Sequence, residues 1–287
     1  MFLSKFRALA LAATFAPAFA YAQDSETAYM RLHLASELRF ETQNMARLTC
    51  YIGADFNPEP HRAMLQAAVA DFETTLKALK DGDEGAFLPP EANDRVLTAV
   101  RALTEAWPDM AGILAGGTFD QGQVAVVDLE SLTLLRFTEN LSNRIAVANN
   151  EVMQDLPLIM LLTVDMAGRQ IMRTEKAAKE ACLIGSGINV AQNRQNLQET
   201  VTVFTATMEA LSSGLPGMIV RPPSLEIEAL LKDAMALWEA PKAALTRLYT
   251  SGDISAEDRM VIGMGLEAVV AKLSAAAALY QSIELDE

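Results

Sequence analysis

Histidine and cysteine are scarce in this sequence, which has two of each among 287 residues. His33 and His61 are the only histidines, and if Cys50 and Cys182 bind each other, no ligand set of a typical protein metal site is left. The sequence also contains no glycine-rich phosphate loop after a strand and no readable pairing of a nucleophile with a base. We therefore predict a protein without a metal, without a cofactor and without enzymatic activity.

Basic residues are few relative to acidic ones. The 23 lysines and arginines face 37 aspartates and glutamates, which gives a formal net charge of −14. Such an acidic surface repels nucleic acid and anionic lipid, so neither is expected as a partner. Because 51% of the residues are hydrophobic, the chain can build a core and does not belong to the disordered class.

The N-terminus has the three parts of a secretory signal peptide. Lys5 and Arg7 precede an apolar run over residues 8–20, and Ala20-Tyr21-Ala22 forms a small-x-small cleavage site. The apolar run is shorter than the roughly 20 residues that a membrane-spanning helix needs. We expect residues 1–22 to be removed, which leaves a net charge of −16. An uncleaved membrane anchor is the alternative.

The rest of the chain contains no stretch that we expect to span a bilayer. Its longest apolar run, residues 156–164, is too short and leads directly into Asp165. The mature protein is therefore predicted to be periplasmic or secreted, without membrane insertion. An oxidising compartment permits disulfide bonds, so Cys50 and Cys182 form either a disulfide or two buried free thiols.

The mature chain is an internal repeat with an offset of 132 residues. Over residues 35–82, 16 of 48 positions are identical to their partners, whereas average composition would give about three or four identities. After a shift of one residue the offset also pairs Pro89-Pro90 with Pro222-Pro223. A period this long indicates two duplicated domains rather than a solenoid. We place them at residues 23–154 and 155–287.

Each copy is predicted to contain four amphipathic helices. Apolar residues recur at helical spacing, and sustained β-alternation is absent. Glycines mark the ends of the first helices, and Asn-Pro, Ser or Gln mark later starts. The first helix of each copy is expected at about residues 24–53 and 155–185, and the second at about residues 57–82 and 189–214. The third helices are expected to begin at Glu91 and Ser224, and the fourth helices at Gln121 and Ser255. Short loops between such helices predict an all-α fold of two antiparallel four-helix bundles, related by a pseudo-twofold axis.

Small residues occupy one face of the first helix in both copies. The positions shared by the two copies are Ala35, Thr42, Ala46, Cys50 and Gly53. A stripe of small residues lets two helix backbones approach closely, so we expect the first helices to face each other as in a dimer fused into one chain. Equivalent residues then meet across the axis, which favours the disulfide between Cys50 and Cys182.

Residues 164–179 contain Ala167-Gly168-Arg169-Gln170 and then Arg173-Thr174. This segment resembles the signature of the type IV pili methyl-accepting transducer N-terminal domain, the PilJ/NarX-like family, which is roughly A-G-R-Q-R-M-L-S-Q-R-M-A-K. The repeat register places a more diverged version at residues 35–47. The resemblance implies an extracytoplasmic four-helix sensor domain, and some family members bind nitrate between the paired first helices of two subunits.

The resemblance also implies ligand-binding residues. The family's anion-binding arginine corresponds to Arg39 in the first copy, but the second copy has Ile171 at that position. Arg169 or Arg173 on the same helix could substitute for it. The family's serine corresponds to Thr42 and Thr174, which preserve a hydroxyl group.

Arg39 is the residue on which the functional prediction depends. It precedes Cys50 by about three helical turns and therefore points toward the same interface. A buried arginine needs a partner, because an unpaired buried charge is costly. Two partners fit: a small planar anion, which suits a guanidinium fork, or the carboxylate of Glu175.

Two functions follow from these two partners. The first is a periplasmic ligand-binding or sensory module for a small oxyanion such as nitrate or nitrite, which would report to a membrane-bound signalling partner. The alternative is a non-enzymatic helical interaction or scaffold protein whose ancestral anion site is closed by an Arg39–Glu175 ion pair.

Overall fold

The computed structural model describes residues 16–149 and 158–283, and within these ranges the chain forms eight α-helices and no strand. The helices are α1 (Ala16–Gly53), α2 (Pro58–Asp81), α3 (Asp94–Leu114), α4 (Gln121–Ala148), α5 (Leu158–Gly185), α6 (Val190–Ser213), α7 (Leu225–Ser251) and α8 (Ala256–Ile283). The predicted all-α fold with four helices in each copy is confirmed.

The two copies use the same packing scheme. In the first, α1 packs against α2 and α4, and α3 packs against α4; in the second, α5 packs against α6 and α8, and α7 packs against α8. The two bundles meet through α1 and α5. Corresponding helices therefore have corresponding neighbours, as the sequence repeat predicts.

The hydrophobic cores of the two bundles also correspond. The ring centroids of Phe72 and Trp107 lie 4.4 Å apart, and those of Phe204 and Trp238 lie 4.2 Å apart. Each indole nitrogen donates to the side chain that follows its phenylalanine in the sequence. Buried aromatic pairs of this kind fix the second helix of each bundle against the third.

Most helices begin at the expected residues, and at several of these starts a side chain accepts a free backbone N–H group of the first turn. Ser224, for example, accepts from the backbone of Ile227. The third helix starts at Asp94 rather than at Glu91, because Asn93 provides its cap. Asn57 precedes α2 as predicted but has a φ of 45° and makes no side-chain cap hydrogen bond.

Two predicted boundaries fall outside the described residues. The division after residue 154 lies within 150–157, and most of the predicted signal peptide lies within residues 1–15. Residues 16–22 form the beginning of α1, which starts earlier than the predicted residue 24. Cleavage after Ala22 stays a prediction.

The last helix differs from the expectation that no later stretch could span a membrane. By length and composition alone, residues Ala256–Tyr280 of α8 are long and apolar enough to cross a membrane, with a mean hydropathy of 1.6. Of this stretch, 28% is buried. The buried residues Ile262, Leu266 and Val269 belong to the hydrophobic core of the second bundle. The expectation that no later stretch is long and apolar enough was therefore wrong for α8, whose buried residues also belong to the core.

Candidate anion-binding site between the first helices

The first helices of the two copies lie against each other. Cys50 near the end of α1 and Cys182 near the end of α5 form a disulfide, with their Cα atoms 6.2 Å apart. Closer to the start of the pair, a Cβ atom added at Gly168 would lie only 2.6 Å from Oγ of Ser36. Both pairs are 132 residues apart in sequence, so α1 and α5 run parallel and in register. The predicted disulfide is confirmed over the free-thiol alternative.

Arg39 points from α1 into the interface between the two copies and is only 1% exposed. Its two terminal nitrogens donate to Oδ1 of Asp165 on α5, each at 3.0 Å, and one of them also donates to Oγ of Ser142 on α4 at 2.9 Å. Its Nε atom is buried and has no hydrogen-bond partner among the described residues. The predicted direction of Arg39 is therefore correct, but the predicted Arg39–Glu175 ion pair is wrong.

Glu175 binds a different arginine. Nε of Arg47 donates to its carboxylate, and both side chains are buried. Arg47 also donates to Asn44, which in turn donates to Glu41, each at 2.9 Å. Burial acts to lower the pKa of Arg47, but the adjacent Glu175 raises it above its ordinary value. Glu175 is thus engaged by Arg47, which lies about two helical turns from Arg39 on α1.

Arg169 and Arg173 lie on α5 beside Asp165. Nε of Arg169 donates to Oδ2 of Asp165 at 2.7 Å, and its NH1 lies 3.4 Å from Oε1 of Glu139 on α4. Arg173 is one helical turn further along α5. Within the part of the chain that the structure describes, its side chain makes no hydrogen bond and no ion pair.

We call these five residues, Arg39, Glu139, Asp165, Arg169 and Arg173, the arginine cluster. Its three guanidinium groups face two carboxylates, which leaves one surplus positive charge. The side chains of Asp165 and Glu139 are 38% and 37% exposed, whereas that of Arg39 is 1% exposed. The cluster therefore reaches from solvent at its carboxylates to a buried guanidinium between the helices.

The pKa shifts in the arginine cluster reflect this crowding. Burial lowers the pKa of Arg173, and the neighbouring positive charges of Arg169 and Arg39 lower it further. Burial also lowers the pKa of Arg39, although Asp165 opposes this effect. Burial acts to raise the pKa of Asp165, but Arg39 and Arg169 hold it below its ordinary value. Asp165 is therefore an ionised carboxylate at neutral pH, and an added anion would relieve the repulsion among the arginines.

Thr42 and Thr174 are fully buried and bind within their own helices. Oγ1 of Thr42 donates to the backbone oxygen of Arg39 at 2.8 Å, and Oγ1 of Thr174 donates to that of Gln170 at 2.9 Å. Their hydroxyl protons are therefore already used. Oγ1 of Thr42 in addition accepts from Nε2 of Gln43 at 3.2 Å.

Sequence reasoning missed three members of this environment: Asp165, Glu139 and Ser142. Asp165 had a readable signal, because it precedes Arg169 by four residues, a spacing at which opposite charges pair along a helix. Glu139 and Ser142 lie on α4, and no local pattern places that helix beside Arg39.

The described residues contain no group of three or more histidine, cysteine, aspartate or glutamate side chains that could hold a metal ion. The arginine cluster instead offers guanidinium donors, a type of group that can bind planar anions.

No curated protein matches the chain. One family profile does match it, that of the N-terminal domain of the type IV pili methyl-accepting chemotaxis transducer, PilJ. The match covers residues 31–127 and 162–261, which are well over half of the chain and fall in the two structural repeats. The chain therefore belongs to the PilJ family and carries two tandem copies of its N-terminal transducer domain.

Proposed function

We propose that this protein is a periplasmic sensory module that binds a small oxyanion, such as nitrate or nitrite, at the arginine cluster. The two copies in one chain pack side by side through α1 and α5. They therefore provide the helix pair that two separate subunits would otherwise have to form. Ligand binding would be reported to a membrane-bound signalling partner, in keeping with membership of a chemotaxis transducer family.

The observation that supports this proposal is the unused donor capacity of the cluster. Arg173 has no partner among the described residues, and the buried Nε of Arg39 lacks an acceptor. A buried donor without an acceptor, such as Nε of Arg39, is costly, and a planar oxyanion can accept from it and from the partly buried Arg173. The surplus positive charge of the cluster favours an anion of charge −1.

Asp165 is the competitor for this ligand. It already accepts two hydrogen bonds from Arg39 and one from Arg169. An oxyanion therefore binds beside Asp165 at Arg173 and Nε of Arg39, or displaces the carboxylate toward solvent. Either route lowers the affinity relative to a site without a competing carboxylate.

Titration calorimetry of the purified protein with sodium nitrate, sodium nitrite and sodium chloride tests the proposal. We expect saturable binding of nitrate or nitrite and a loss of affinity of about tenfold or more in Arg173→Ala and Arg39→Ala. Arg101→Ala, which removes an exposed arginine on α3, is the matched control and should bind as the wild type does. Equal heats for all three salts, or none, would overturn the proposal.

A scaffold protein with a closed site is the second candidate, favoured by the contacts of Arg39 with Asp165. In this reading Asp165, and not Glu175 as first predicted from sequence, occupies the guanidinium fork permanently. It predicts that neither anion binds the wild type or any of the arginine variants, while the fold is unchanged by circular dichroism.

A further inference from the structure

A cavity lies at the end of the α1–α5 pair opposite to the arginine cluster, beside the disulfide. It has a volume of about 400 Å³ and lies between the ends of α1 and α5 and the beginnings of α4 and α8. Pockets that bind small molecules have volumes of roughly 300–1,000 Å³. The disulfide of Cys50 and Cys182 forms part of its wall.

The remaining lining contains both apolar and polar residues, and two of them are charged. The apolar lining residues include Phe56, Val124, Ile188, Ile254 and Ile262. The charged residues are Asp55, which follows α1, and Arg259 in the first turn of α8. A cavity that combines apolar contacts with charged groups can hold a small organic ligand that has both kinds of surface.

Asp55 and Arg259 are both exposed, and in the described residues neither side chain makes a hydrogen bond or an ion pair. The nearby Asp258 does not neutralise Arg259, because it binds Arg247 and Ser255. Asp55 lies just beyond the C-terminus of α1, where the helix dipole adds negative potential. The cavity thus offers the free carboxylate of Asp55 and the free guanidinium group of Arg259 next to apolar side chains.

We propose that this cavity binds a small zwitterion with an apolar side chain, that is, an α-amino acid of the size of leucine or phenylalanine. Its carboxylate binds Arg259, its ammonium group binds Asp55, and its side chain contacts the isoleucines, Val124 and the disulfide. This site is separate from the arginine cluster, because the two share no residue and lie at different levels of the helix pair.

Calorimetry with three related compounds tests the charge arrangement. L-phenylalanine carries both charges, N-acetyl-L-phenylalanine lacks the ammonium group, and phenethylamine lacks the carboxylate. We expect L-phenylalanine to bind at least about tenfold more tightly than either analogue. Equal affinities for the three compounds, or no binding of L-phenylalanine at millimolar concentration, would overturn the proposal.

Two variants test which residue binds the carboxylate of the ligand and which binds its ammonium group. Arg259→Gln should weaken L-phenylalanine about tenfold but leave phenethylamine unchanged, and Asp55→Asn should weaken L-phenylalanine but leave N-acetyl-L-phenylalanine unchanged. Both positions are exposed, so neither change removes a core contact. Arg101→Gln is the matched control. Variants that weaken all three compounds alike would contradict the assignment.

Two further measurements locate the ligand. Saturating L-phenylalanine should slow reduction of the Cys50–Cys182 disulfide by dithiothreitol, since the bound side chain covers it, and an unchanged rate would overturn the proposal. Arg173→Ala should leave phenylalanine binding unchanged, and Arg259→Gln should leave nitrate binding unchanged. A failure of nitrate to bind therefore does not affect the phenylalanine result.

Discussion

Ser36 and Gly168 occupy equivalent positions in the two copies and lie directly against each other where α1 meets α5. A Cβ atom at Gly168 would lie 2.6 Å from Oγ of Ser36, closer than side-chain atoms normally approach. Glycine thus leaves room here for the hydroxyl group of Ser36, which would have to move to admit a larger residue. The contact and the disulfide together hold the two helices in register.

The first prediction concerns this contact. Gly168→Val should lower the free energy of unfolding by about 1–3 kcal/mol, because the added side chain separates α1 from α5. Urea denaturation followed by circular dichroism measures the change. Gly112→Val is the matched control, since a Cβ atom there meets nothing within 4 Å. Equal losses in the two variants would show that helix propensity alone is responsible.

The second prediction concerns the disulfide. It links residues 132 positions apart and joins the two bundles, so its loss should lower the free energy of unfolding by about 2–5 kcal/mol. The double variant Cys50→Ala, Cys182→Ala removes it, and reduction of the wild type provides an independent comparison. A melting temperature that dithiothreitol does not change in the wild type, once loss of the disulfide is verified, would contradict the prediction.

The third prediction concerns Glu41, whose pKa is raised from 4.5 to about 7, mainly by burial and partly by Asp71, Glu175 and Glu37. Its hydrogen bond from Asn44 opposes the shift. Because the folded state favours the protonated carboxyl, the protein loses stability as the pH rises from about 4.5 through 7. Below this range the group imposes no cost.

Glu41→Gln should therefore stabilise the protein by about 2 kcal/mol at pH 8 and have little effect at pH 4. Denaturation curves at several pH values measure the difference. Glu105→Gln, on the exposed face of α3, controls for removing an acidic charge. A gain for Glu41→Gln that is independent of pH would show that ionisation of Glu41 is not its cause.

The fourth prediction concerns the competing carboxylate in the arginine cluster. Asp165→Asn preserves the shape of the side chain but removes its charge, so nitrate should bind about tenfold more tightly than in the wild type. The variant should also be less stable, because Arg39 loses its buried ionic partner. Glu209→Gln, at an acidic residue of α6 outside the cluster, is the charge control. Nitrate affinity that decreases in Asp165→Asn would indicate that Asp165 orients the ligand site instead of blocking it.

The pseudo-twofold axis relates residues that have different chemistry. The Arg47–Glu175 pair corresponds, by the 132-residue offset, to Lys179 and Gln43. Gln43 has no charge to offer, and Lys179 instead pairs with Asp128 on α4, with Nζ 2.7 Å from Oδ1. Gln43 and Lys179 both donate to Ser131, through its backbone oxygen and its hydroxyl. The repeat predicted which positions of α1 and α5 are equivalent, but the ionic partner of Lys179 lies on α4.

The choice of partner for Arg39 shows the same limit. Asp165 and Glu175 lie on either side of Ile171, the position equivalent to Arg39, so both carboxylates were within reach on helical spacing alone. Arg47 binds Glu175, and Arg39 binds Asp165 together with Ser142. Helical spacing alone does not specify how two arginines divide two carboxylates between them.

The amino-acid sequence by itself determined the all-helical fold, the duplication and the equivalence of Cys50 and Cys182 in the two copies. These features depend on periodicity and on equivalent small residues, which can be read along one chain. Only the tertiary structure decided the ionic partners of Arg39, Arg47 and Lys179 and created the cavity beyond the disulfide. They depend on the distances and rotations between helices that are remote in sequence, and local patterns do not specify these.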